Sequence, residues 1–155
     1  MTEVLFHVFG GTKLNFVAIA LVVCSIMAGV VIQLLQRAEQ ATGQERTEWM
    51  ILASIITGLG VWTTHFVAML GYDAGVPIGF DPVMTVVSLL IAVVGSTIGF
   101  MLAGSRWTRF TPAFGGAIVG LAIAAMHYVG MMAYRVQGIV SWNMTYLVAS
   151  IVLSV

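Results

Sequence analysis

Four stretches of the chain are apolar almost without interruption: about Asn15 to Leu35, Trp49 to Leu70, Val83 to Ala103 and Ala113 to Ala133. Each has about the 20 residues that a helix needs to cross ~30 Å of hydrocarbon. No water is available in lipid to satisfy open backbone groups, so each is predicted as an α-helix. Pro82, a residue suited to a first helical turn, stands just before the third. A fifth apolar run begins near Met144 and ends at Val155. As helix it rises only about 18 Å, short of a crossing. The pattern therefore predicts an all-α membrane protein, a helical bundle of four full transmembrane helices plus a truncated fifth. Residues 1–155 read as one domain, incomplete at its C-terminus.

The pattern also repeats. An offset of 62 aligns Trp49 to Val93 with Thr111 to Val155 without gaps. "GLGVWTTHFVAMLGY" (Gly58 to Tyr72) lies over "GLAIAAMHYVGMMAY" (Gly120 to Tyr134), with Gly, Leu, His, Val, Met and Tyr coinciding. The unit is a helix pair, so its copies, approximately 49–93 and 111–155, share one membrane orientation. His65 and His127 then sit at equal depth, roughly 8 Å inside the same ends of their helices.

Composition strengthens the membrane assignment: 60% of residues are hydrophobic and 8% charged, against roughly a quarter charged in soluble domains. Net charge is zero and the six basic residues are scattered, which gives no nucleic-acid footprint. The first span lacks a small-x-small cleavage site and reads as uncleaved. Arg37, Arg46, Arg106 and Arg109 fall in the first and third loops, against Lys13 and Arg135 on the other side. The positive-inside rule then places those loops in the cytoplasm, and the N-terminus and the histidine ends outside. Trp49 and Trp107 on one side, and Tyr72, Tyr134 and Trp142 on the other, fit two aromatic belts.

Ionisable residues within a span point to function by default. On a helix, residues three, four and seven apart share a face. Met69 thus stands on the face of His65, and Met131 on that of His127, with Met126 flanking the second. Imidazole nitrogen with thioether sulfur suits copper, above all Cu(I). The site hypothesis is therefore a metal held by His65, Met69, Met126, His127 and Met131. Haem b with the two histidines as axial ligands is the alternative. Transport through the same residues, or plain interhelical hydrogen bonding by the histidines, are the other readings. His7 reads as a surface residue. Cys24, placed near mid-membrane, reads as a packing residue too deep to join the histidines, and Asp73, Asp81 and Asn143 read as solvated loop residues. No hydrolytic triad, phosphate loop or zinc-finger spacing is present, and the chain is not expected to be an enzyme.

"MHYVGM" (Met126 to Met131), "HFVAM" (His65 to Met69) and "FDPVMTVVSLLIAV" resemble the MHYT family of bacterial integral-membrane sensor domains. The fourth motif residue is Val129, where the family name implies Thr, and Thr64 stands where it implies Met. The resemblance implies a multi-pass sensor in the bacterial inner membrane. It implies copper near the outer face on His65, Met69, Met126, His127 and Met131, and sensing of oxygen, carbon monoxide or nitric oxide. It also implies a downstream cytoplasmic module of cyclic-di-GMP signalling or a histidine kinase. A third motif at the same offset would fall near position 189, past the last residue given.

Overall fold

The computed structural model describes residues 13–71, 78–105 and 108–136, together with Val148 and Val152. Four helices dominate: α1 (Lys13–Gln40), α2 (Gly43–Leu70), α3 (Pro82–Gly104) and α4 (Thr111–Ala133). All four are long and apolar enough to cross a membrane. The fifth helix expected from Met144 falls outside the described residues apart from the two valines, as do His7, Asp73 and Asn143.

The polar segment between the first two spans is mostly helix, not loop. α1 and α2 run through it and leave only Ala41 and Thr42 between them, with Gly43 at φ +59 making the turn. Gln, Glu, Arg and Ala are good helix formers. Contacts one turn apart reinforce them, with Gln44 Nε2 donating to Glu48 at 3.0 Å. The Arg37 guanidinium stands 5.1 Å over the Trp49 ring, and Arg46 caps α3 by donating to the Gly104 carbonyl at 3.0 Å.

At the other end two short strands, β1 (Ile78–Phe80) and β2 (Tyr134–Val136), pair antiparallel with Ile78 opposite Val136 and Phe80 opposite Tyr134. The apolar pattern gave no sign of them, because each is three residues long. β2 follows α4 directly. The Asp81 amide donates to the Ala133 carbonyl at 2.8 Å, which satisfies an otherwise open helix end. Asp81 is more than a solvated loop residue. Its carboxylate accepts the amides of Val83 (3.0 Å) and Met84 (3.2 Å) as the N-cap of α3, with Pro82 at the first turn.

The helices pack in chain order: α1 on α2, α2 on α3, α3 on α4. Lipid supplies no hydrophobic drive between helices, so close approach and polar ties hold them. A Cβ on Gly58 would lie 2.6 Å from the Val93 Cα, and one on Gly99 would lie 2.7 Å from the Gly115 carbonyl. Ser54, Ser88 and Ser96 are fully buried. Ser54 shares a hydrogen bond with Thr97 (3.0 Å), and Trp62 Nε1 donates to Ser88 (3.1 Å), tying α2 to α3. Val83, Val86, Leu90, Val94 and Ile98 are exposed at helical spacing and form the lipid-facing stripe of α3. α2 and α4 barely touch. Their meeting point is the histidine pair.

Candidate functional site

His65 lies five residues before the end of α2 and His127 six before the end of α4, at the same end of the bundle. Their Nδ1 atoms stand 3.4 Å apart and the rings meet edge to face, centroids 4.9 Å apart at 74°. With both imidazoles neutral, one Nδ1–H donates and the other Nδ1 accepts. His127 is exposed and His65 half-buried.

Neighbours fix the His65 ring. Its Nε2 is buried without a hydrogen-bond partner and lies against Gly130 of α4, where a Cβ would come within 2.9 Å. Phe66 meets the ring edge-on at 5.2 Å, and Phe66 in turn packs on Trp62 (4.7 Å) and on Phe80 of β1 (5.6 Å). The strand pair therefore reaches the histidine through one aromatic ring. Over the same end, the Arg135 guanidinium donates to Asp81 Oδ2. That bond, with help from the Met84 and Val83 amides, holds the Asp81 carboxyl below the usual carboxylate range.

The sulfur residues divide. Met126 is buried, 1% exposed, and lines a cavity with His65 and His127. Met69 and Met131 are half-buried and do not line it. The cavity runs from the histidines toward the middle of the bundle, whereas residues four further on lie a turn nearer its end. Cys24 is a correction in the opposite sense, for it lines this cavity. Phe16 packs where a Cβ of Gly71 would be and Met27 where one of Gly60 would be. This antiparallel register sets Cys24 level with Thr63, only two residues, or about 3 Å, from the depth of His65. Among the described residues no third His, Cys, Asp or Glu joins the pair in a metal-binding group. The donor set that the structure assembles is two imidazoles, with the Met126 thioether in the same cavity.

A family model described as "Bacterial signalling protein N terminal repeat", MHYT, matches residues 58–116 and 120–155. The chain belongs to the MHYT family. MHYT repeats are sensory membrane modules of bacterial signalling proteins, and this chain carries such a module rather than an enzyme. An uncharacterized signaling protein of Caulobacter vibrioides is 35% identical over 130 residues, 84% of this chain and 16% of that one. The bifunctional diguanylate cyclase/cyclic di-GMP phosphodiesterase MucR of Pseudomonas aeruginosa is 34% identical, covering 90% of this chain and 20% of its own. The cyclic di-GMP phosphodiesterase NbdA of the same organism is 34% identical over 78% of the chain and 16% of its own length. The MHYT chain thus spans a fifth or less of these curated relatives. No solved structure matches it.

Proposed function

We propose that the chain senses a diatomic gas (oxygen, carbon monoxide or nitric oxide) through copper held by His65 and His127 near the outer face of the bacterial inner membrane. The observation that carries the reading is the 3.4 Å between the two Nδ1 atoms. Two nitrogens that each bind one tetrahedral ion at 2.0–2.1 Å stand roughly 3.3–3.4 Å apart. The imidazoles are thus already at chelating distance. The buried Met126 thioether adds the soft donor that favours copper over harder ions. Bound copper would supply a coordination position open to a gas. Haem b fits less well, because its macrocycle has to lie between the axial nitrogens, and these already touch.

The chain's own part is to hold and report. Gly130 and Phe66 orient His65, while α4 carries His127 toward it. α2 and α4 meet at little else, so a change in the ligands' spacing bears directly on the angle between the two helices. Any such relay needs two states of different gas affinity. Arg37, Arg46 and Arg109 lie at the opposite end of the bundle, which supports a cytoplasmic location for that end. The names of MucR and NbdA support a partner module acting on cyclic di-GMP.

The test is the metal content of the purified chain beside a His65→Ala/His127→Ala double variant. About one copper per chain in the wild type, lost in the variant, is expected. Equal metal in both would overturn the reading. Iron with a Soret band, lost in the same way, would transfer the site to haem.

A further inference from the structure

The two copies of the repeat are unlike beside their histidines. Three residues before His65 stands Trp62, and three before His127, at the same register, stands Ala124. Trp62 packs its ring on Phe66 at 4.7 Å and donates from Nε1 to the buried Ser88 at 3.1 Å. Phe66 in turn meets the His65 ring edge-on. At Ala124 a methyl group takes the place of that indole, and the residue lines a cavity of about 630 Å³ that reaches both His65 and His127. The first copy braces its histidine. The second gives up the brace for space.

The lining decides what the space can hold. None of the lining residues is Lys, Arg, Asp or Glu. Of its two threonines, Thr57 donates its hydroxyl to the Ala53 carbonyl at 2.8 Å, and Thr64 has its own buried out of reach. A strongly polar ligand would lose its water here and gain little in return. Apolar cavities behave differently: they stay dry and take up xenon or benzene, for which ~150 Å³ suffices. Oxygen, carbon monoxide and nitric oxide are small, uncharged and weakly polar, and so belong with the ligands that such a lining admits.

We propose that this cavity is the docking chamber of the diatomic ligand, kept open by Ala124, in which the gas lies beside the two imidazoles. The ligand's identity rests on the gas-sensing reading; the chamber itself does not.

The experiment uses the full chain, isotope-labelled at the methionine methyls, in phosphatidylcholine nanodiscs under rising xenon pressure. Met27 and Met126 line the cavity, whereas Met101 and Met132 are exposed on the outside of the bundle. The Met27 and Met126 methyl signals should shift and saturate, while those of Met101 and Met132 only drift with the xenon dissolved in lipid. Ala124→Trp, which gives the second copy the residue of the first, should remove most of the Met126 shift. Ala28→Phe, from the α1 wall, should remove most of the Met27 shift, and neither should change helix content by circular dichroism. In the copper-loaded chain Ala124→Trp should slow carbon monoxide association with copper content unchanged. Cavity methyls that shift no more than the exposed ones, the result also of a lipid chain already seated there, would overturn the proposal. So would saturating shifts that survive both substitutions, or carbon monoxide association indifferent to Ala124→Trp. Saturating shifts in a chain that holds no copper would keep the chamber and sink the metal reading, and copper without the shifts would do the reverse.

Discussion

At the scale of single residues, Gly130 controls the histidine pair. A Cβ there would lie 2.9 Å from His65 Nε2, so Gly130→Ala must turn or push the ring. Copper affinity is expected to fall roughly 10- to 100-fold, the usual effect of disturbing a ligand's support, with little change in helix content by circular dichroism. Unchanged affinity would mean that the ring is not held by this contact. Both histidines were legible in the sequence because the repeat forces them to equal depth. The methionines were legible only in part: shared helical faces name Met69 and Met131 but not the side toward which the cavity extends. Met126, one residue from His127, is the sulfur that turned inward. Cys24 was misplaced because depth was counted from span ends, whereas Phe16 against Gly71 and Met27 against Gly60 set the register. The partner of Asp81 is 54 residues away, a distance over which no local pattern speaks.

At the scale of elements, helix identity followed from apolar length alone, and the ends of α1 and α2 did not. Their polar extensions leave the hydrocarbon and keep their helix by local propensity. The seam of α3 and α4 is the tightest packing in the bundle, with Gly95 against Ala122 and Gly99 against Gly115. Gly99→Leu or Gly115→Leu should destabilise the fold by about 1–3 kcal/mol, the usual effect of overpacking, read as an earlier midpoint in denaturing-detergent titration. An equal substitution at Gly116, whose Cβ would meet nothing within 4 Å, should change little. Similar midpoints for both classes would sink the close-packing account.

Across the whole molecule, the bond between Asp81 and Arg135 joins the start of α3 to the strand after α4. Arg135 is 73% exposed, so the tie is modest. Asp81 has its carboxyl held low in the folded state, so the tie's contribution is complete above the ordinary carboxylate value. It fades only as pH falls through the depressed one. The factor by which losing the tie speeds copper release to a chelator should therefore be the same at about pH 5 and at about pH 7, while proton competition for the imidazoles acts alike on wild type and variant. Arg135→Gln should speed release about two- to five-fold at neutral pH, and a variant as slow as the wild type would show that the tie does not guard the site. The placing of His65 and His127 on separate helix pairs, 62 residues apart, has a further consequence in biogenesis. At about 5–20 residues per second, His65 leaves the ribosome some 3–12 s before its counterpart. A nascent chain therefore offers the translocon a lone imidazole. Under the copper proposal, metallation would have to wait until the fourth helix is inserted, which would make a loaded site a mark of completed insertion.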